Sequence, residues 1–341
     1  MWVKGEIFRN LDEATASARG ELDRAAQQSL FDRIEWFRRT DALASPGGIP
    51  LVVRSRAEGS DCWLFLTETG GKAKALASWY SLVFRPVFTG APSDATKFAL
   101  LVATARRLTK RLSSITLGPM PADDTALVSR AFDRARWITT SHESTVNWTV
   151  STDGLSFEDY WSARPGELRS TVKRKAAKHG IETQIYTMFD DKAWTDYESI
   201  YADSWKTEEG APAFLREMAL TESAAGALRL GVATIEGEAV AAQLWTVENG
   251  HAIIHKLAHL ESAKEQSPGS VLTAAMFAHV IDVDHVALID FGTGNDRYKA
   301  DWMDNRAPLF TVQLFNPRRP AGLWGAAKVW LSTLVRRGGA R

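Results

Sequence analysis

The chain has 341 residues, 45% of them hydrophobic and 24% charged, which is room for two ordinary domains, each with its own core. Its 41 basic and 41 acidic residues cancel, which argues against a dedicated nucleic-acid binder. One cysteine, Cys62, excludes an internal disulfide and suits a reducing compartment, and no run reaches the ~20 apolar residues of a membrane span. The first residues lack the apolar core of a signal peptide, so a cytoplasmic protein is expected.

In the first half, Leu22, Ala26, Leu30, Ile34 and Phe37 recur at helical spacing, which predicts helix over residues 11–40. After a Pro/Gly-rich loop to Pro50, Leu51–Arg56 and Cys62–Thr67 read as a hairpin around Glu58-Gly59-Ser60. Ala73–Ala77 and Tyr80–Phe84 continue it as a meander. Ser93 or Asp94 can cap a helix to about Leu112. Ser114–Leu117 reads as a strand, Asp123–Arg136 as a helix and Thr145–Val150 as a strand.

The middle segment holds the most basic stretch, with Arg164, Arg169, Lys173, Arg174, Lys175 and Lys178 around a helix over Ser170–Lys178. Its charge surrounds the helix, as on a solvated linker, or it contacts the phosphates of a cofactor or an anionic lipid head group. Helices follow over residues 193–206 and 213–222. Trp194, Tyr197, Tyr201 and Trp205 share one face, either packed on the following sheet or lining a substrate.

From Leu228 the pattern is sharper. Leu228–Ile235, Ala239–Val247 and His251–Leu260 are apolar runs joined by Glu236-Gly237 and Asn249-Gly250. An Asn-Gly turn with φ > 0 at both residues joins antiparallel strands, so a three-stranded meander is expected. Ser267 stands at the N-cap of the next helix, with Pro268 at its first residue and Gly269 beside it. That start offers free amides to an anion, a pyrophosphate or a carboxylate from elsewhere in the chain. Val286–Phe291 is a short apolar strand that brings Asp290 to its C-terminal edge, followed by Gly292, Gly294 and the ionisable run Asp296–Lys299.

His251, His255 and His259 recur every four residues. On a strand they would span roughly 26 Å, too far apart to meet at one ion, so no metal site is assigned. His255 and His259 stay as candidates for a general base or substrate contact.

Tyr160-Trp161, Arg164-Pro165, Leu168-Arg169 and Lys173-Arg174-Lys175, then Ser267-Pro268-Gly269, then Asp290-Phe291-Gly292 with Gly294, Asp296 and Tyr298-Lys299, together resemble the GNAT acyltransferases of the CelD-like (cellulose-biosynthesis-protein) branch, relatives of the FemAB transferases. The likeness covers residues 150–316 well and the first half loosely. It implies an α/β (α+β) fold of tandem GNAT-like domains, each a mixed, mostly antiparallel sheet flanked by helices. Residues 1–150 would form a degenerate copy, 151–316 the acyltransferase domain, and 317–341 a basic amphipathic helix.

The implied activity is transfer of an acyl group from a thioester, with acyl-CoA as co-substrate and no permanently bound cofactor, to an amine or hydroxyl. Leu257 and Leu260 would flank the pantetheine arm. Gln266, Ser267, Gly269, Ser270 and Val271 would hold the pyrophosphate, with Lys299 a further cofactor contact. His255, His259, Glu261 or Asp290 would take the proton from the acceptor amine, and Tyr298 would protonate the leaving thiolate.

Finally, Leu323, Trp324, Ala327, Trp330, Leu331 and Leu334 form the apolar face of a helix over Gly322–Arg337, flanked by Arg318, Arg319, Lys328, Arg336 and Arg337. It suits either a membrane surface or the protein's own core. On a membrane, a lipid amine such as a sphingoid base becomes a natural acceptor. The alternatives are a FemAB-like transferase using aminoacyl-tRNA and a non-catalytic polysaccharide-assembly factor.

Overall fold

The computed structural model describes residues 3–338 except 46, 205, 207 and 208. In chain order the elements are β1 (Lys4–Phe8), α1 (Leu11–Ala18), α2 (Ile34–Leu43), β2 (Ile49–Ala57), β3 (Ser60–Thr69), β4 (Lys72–Ala75), β5 (Val87–Thr89), α3 (Asp94–Thr109), β6 (Ser114–Pro121), α4 (Ala122–Arg134) and β7 (Ile138–Ser151). There follow α5 (Phe157–Ser162), α6 (Gly166–His179), β8 (Glu182–Tyr186), α7 (Asp191–Ala202), α8 (Pro212–Ala224), β9 (Leu228–Ile235), β10 (Glu238–Glu248), β11 (His251–His259), α9 (Pro268–Asp282), β12 (Leu288–Thr293), β13 (Asn305–Phe315) and α10 (Pro320–Gly338). The chain divides into two compact units, Met1–Thr145 with Pro308–Arg341, and Val146–Ala307.

In the first unit the strand order is β1-β2-β3-β4-β6-β13, with β5 beside β3. The helix expected over residues 11–40 is interrupted, because Arg19 and Gly20 take positive φ and end α1 in a left-handed cap. The irregular stretch that follows is held by the Arg33 guanidinium, which donates to the carbonyls of Gln27 and Gln28. Tyr80–Phe84 is not a strand. Tyr80 is buried there, and the Ser81 hydroxyl accepts the indole N–H of Trp36 at 3.1 Å. The Ser93 hydroxyl caps α3 through the Thr96 amide, so this helix start satisfies one of its own free donors.

The second unit carries β7-β12-β11-β10-β9-β8. The meander β9-β10-β11 is as expected, with Glu236 and Asn249 at positive φ in the two turns. The units share an order: a third meander strand runs parallel to the strand after the next helix, Lys72–Lys74 beside Ser114–Thr116 and His251–Ile253 beside Leu288–Asp290. β1, β8 and β13 carry weaker sequence signals. β8, for example, reads Glu-Thr-Gln-Ile-Tyr and lies mostly exposed at the sheet edge.

The core of the second unit packs α9 against the sheet through Leu272, Met276, Phe277 and Val280, with Trp245, Trp302 and Tyr160 around them. Gly231 in β9 is needed for this approach, since a Cβ there would lie 2.5 Å from the Met276 sulfur. Tyr160 and Arg164 both donate to the Trp302 carbonyl, at 2.8 and 3.2 Å, and Arg164 also pairs with Asp304 at 2.9 Å. Most tryptophans serve these cores, but Trp79, Trp324 and Trp330 are exposed, and Trp205 lies outside the described residues.

Candidate active site

β11 and β12 are paired only from His251/Leu288 to Ile253/Asp290. Beyond that point β11 runs on through His259 and β12 through Thr293 without further pairing between them. No ladder bond joins the two strands beyond Ile253/Asp290, so a parting is left between them, with the β12 carbonyls of Phe291, Gly292 and Thr293 taken by Lys299. β11 also bulges here: Leu244 pairs with Lys256 and Trp245 with Ile254, so His255 is the extra residue.

At the far end of the opening lies the first turn of α9. Ser267 occupies the N-cap position but in the left-handed region, φ 58°, and its side chain makes no capping bond. The Val271 amide bonds to the Ser267 carbonyl, which leaves the Gly269 and Ser270 amides outside the helical ladder. Gln243, buried in β10, fixes this turn by donating to Thr273 Oγ1 at 2.7 Å and to the Gly269 carbonyl at 3.3 Å. His259 stands over it, since a Cβ on Gly269 would be 3.3 Å from His259 Cδ2. The imidazole Nδ1 lies 3.0 Å from the Leu260 carbonyl. Lys175 of α6 donates to the Glu265 carbonyl, bringing one basic residue of that helix beside the same turn. Leu257 packs on the core, Leu260 bonds back to Val240, and Gln266 ends the short 3-10 turn Glu261–Gln266 that leads to Ser267. Glu261 is exposed and pairs with Lys264 at 2.8 Å.

Asp290 stands where the strands part. Its Oδ1 accepts the Gly292 amide at 2.7 Å and its Oδ2 accepts the Asn147 amide of β7 at 3.0 Å. Burial pushes its carboxyl above the ordinary range, against those hydrogen bonds and the nearby His251 and Lys299. Two buried polar atoms in this neighbourhood, Asn147 Oδ1 and His251 Nε2, have no hydrogen-bond partner. Lys299 turns its ammonium onto the carbonyls of Phe291, Gly292 and Thr293, at 3.2, 3.4 and 2.6 Å, and so fixes the end of β12. Burial brings its pKa down to about 8. Tyr298 packs edge-on against Phe291 and is 40% exposed. Partial desolvation with the Asp296 charge raises its phenol, which stays protonated at neutral pH.

His255 is held differently. Its Nε2 is 2.8 Å from Thr246 Oγ1, and burial, with the charges of Lys256 and His251, lowers its pKa to about 3. It is a neutral imidazole at working pH. Between pH 6.5 and about 3 the unfolded chain binds a proton here that the folded protein refuses, so stability falls as pH drops through that window. The slope reaches at most about 1.4 kcal/mol per pH unit. His255→Gln should flatten the fall of the unfolding midpoint between pH 6.5 and 4. An unchanged slope would show that His255 does not set it.

A cavity of about 650 Å³ lies beside α7 and α8, with Trp194, Tyr197, Tyr201, Lys206, Glu209 and Leu215 in its walls. The α7 aromatics thus both pack on β10 and line a cavity. Lys256 of β11 pairs with Glu209 at 2.9 Å and lies over the Tyr201 ring. Lys206 feels Lys256, Asp296 and Glu209, which links the cavity wall electrostatically to the Asp290–Lys299 cluster. Sequence reading missed Asn147, Thr246, Gln243, Lys206, Glu209 and Lys256, all brought in from distant positions. Among the described residues no group of three or more His, Cys, Asp or Glu could hold a metal ion.

Residues 163–300 match the family profile described as an Acetyltransferase (GNAT) domain. No curated protein matches the chain. Among solved structures it is similar to the C-terminal domain of a provisionally assigned lysylphosphatidylglycerol synthetase from Agrobacterium fabrum, at 12% identity and TM-score 0.58, over 94% of this chain and 98% of that one. It is also similar to FemX, at 9% identity and TM-score 0.56, over 83% and 96%. A tandem GNAT protein from the clavulanic acid biosynthesis pathway aligns at 13% identity and TM-score 0.52, over 91% and 98%. The fold is thus a tandem GNAT-like one, of mixed, mostly antiparallel sheets flanked by helices.

Proposed function

We propose that this chain is a GNAT-type N-acyltransferase of the CelD-like branch that moves an acyl group from acyl-CoA to the amine of a lipid or sugar acceptor. The observation that carries this reading is the parting of β11 and β12 beyond Ile253/Asp290, open toward the uncapped first turn of α9. An extended pantetheine-like arm can lie in the parting between the two strands, while the Gly269 and Ser270 amides meet the pyrophosphate.

In the reaction, the acceptor nitrogen attacks the thioester carbonyl, the C–N bond forms and the C–S bond breaks. Asp290, its pKa raised toward that of a working base, takes the proton from nitrogen, and Tyr298 returns one to the thiolate. The aromatic cavity beside α7 supplies an apolar wall for the acceptor or the acyl chain. A long-chain amine such as a sphingoid base fits that wall. A lipid acceptor also requires a membrane surface, for which residues 318–341 are the candidate contact.

Acyl-CoA titrated into the protein by calorimetry should bind. Gly269→Glu, which sets a carboxylate among the first-turn amides, should weaken binding at least about tenfold through charge repulsion. No binding by the wild-type protein would overturn the donor assignment. The basic helix α6, through Lys175 beside the α9 turn, favours a second reading, a FemAB-like transferase that takes an aminoacyl group from tRNA. Mass spectrometry of co-purified ligands separates the two, since acyl-CoA or lipid supports the first and tRNA the second.

A further inference from the structure

The tail helix presents its faces in an unusual order. Its inner face is glycine: a Cβ on Gly322 would lie 2.2 Å from the Asn316 carbonyl and 2.6 Å from that of Ser113, and one on Gly325 would lie 2.8 Å from the Phe315 ring. Buried Asn316 locks this base by donating to the carbonyls of Thr109 and Leu112, both at 2.8 Å. At 100° per residue the large apolar side chains lie roughly 110–150° from the direction of these glycines, on the opposite side of the helix. Leu323, Trp324, Trp330 and Leu331 are 50%, 62%, 64% and 52% exposed. The small residues dock α10, and the tryptophans face outward.

Beside the docked end is a cleft of about 450 Å³, with Gly70, Gly71, Lys110, Arg318 and Arg319 in its walls and no acidic residue among them. The Arg319 guanidinium is held in place by the Lys110 carbonyl. Further along, Lys328 lies over the Trp324 ring at 5.2 Å. Residues 317–341 hold six Lys or Arg and no Asp or Glu, in a chain whose 41 basic and 41 acidic residues cancel only when this tail is counted. Among the described residues no helix is long and apolar enough to cross a membrane.

We infer that the first unit carries an interfacial docking device for an anionic phospholipid bilayer, with α10 lying in the head-group plane and the Lys110–Arg318–Arg319 cleft receiving a lipid phosphate. Tryptophans on the outer face and cations at the base match the two attractions of such a surface, apolar burial and charge. This deepens the membrane contact proposed for residues 318–341 and does not depend on acyl transfer.

The test is co-sedimentation of the full chain with vesicles of phosphatidylglycerol and phosphatidylcholine, and with phosphatidylcholine alone. The wild-type protein should bind the anionic vesicles. Trp324→Ala with Trp330→Ala should lower partition at least about tenfold, and Arg318→Glu with Arg319→Glu should remove the preference for anionic lipid. All four side chains are exposed, so unfolding midpoints should hold. Equal partition of wild type and the tryptophan pair would overturn the inference. So would a wild-type dimer, made monomeric by the tryptophan pair in vesicle-free ultracentrifugation, because the face would then be a contact between copies. Acyl-CoA calorimetry on the same variants reads the other unit, so failure here leaves the donor assignment standing.

Discussion

Asp290→Asn should lower kcat for acyl transfer to a long-chain amine by about 10²–10⁴, with the calorimetric affinity for acyl-CoA within about threefold of wild type. The amide keeps the volume of the carboxyl and can still accept from Gly292, so what is lost is the base. Burial raises the Asp290 carboxyl, and a base must be ionised to act. The wild-type rate should therefore rise with pH through a value above the usual carboxylate range, and Asp290→Asn should lose that limb. A loss below tenfold, with the limb intact, would assign the proton to another group and leave Asp290 as a clamp on the Gly292 turn. Asn147→Ala is the companion variant. It removes one hydrogen bond to the carboxylate, so the limb should move to still higher pH with a smaller fall in kcat.

The parts of this site that were legible in the sequence are those set by local chemistry. Glu236-Gly237 and Asn249-Gly250 announce the meander because a positive φ is needed there, and both turns form. Ser267-Pro268-Gly269 announces a helix start, although only the structure shows that Ser267 leaves the first turn uncapped. Direction is what composition withholds. Lys299 follows Asp296 in a run of ionisable groups, yet its ammonium turns back onto three carbonyls of its own loop. His255 reads as a base candidate from its residue type alone, but the β11 bulge buries it beside Thr246 as a neutral group. Partners that meet only in the fold were beyond reach, such as Asn147 with Asp290 and Lys256 with Glu209. Tyr160 and Arg164 supported the family resemblance, and their work is to hold the Trp302 carbonyl.

Trp245→Ala should be the most destabilising change in the second unit. The indole is fully buried, meets Phe277 edge-on at 5.5 Å and donates to Gln243 Oε1 at 2.9 Å. Its loss opens a cavity and strands a buried amide oxygen, a combined cost of about 3–5 kcal/mol. For a unit of this size that lowers the unfolding midpoint by roughly 6–20 °C. Trp245→Phe keeps an aromatic ring but loses the N–H together with the pyrrole half of the indole, so it costs about 1–3 kcal/mol for the stranded oxygen and leaves a smaller cavity than alanine does. The same bond reaches the site: Trp245 orients Gln243, and Gln243 holds the Gly269 carbonyl and Thr273. Trp245→Phe should therefore also weaken acyl-CoA binding several-fold. Phe277→Leu, which perturbs the core without touching Gln243, should lower the midpoint with the affinity unchanged. Equal affinity loss in both variants would mean that α9 responds to core packing as a whole, and that the Trp245–Gln243 bond has no separate hold on its first turn.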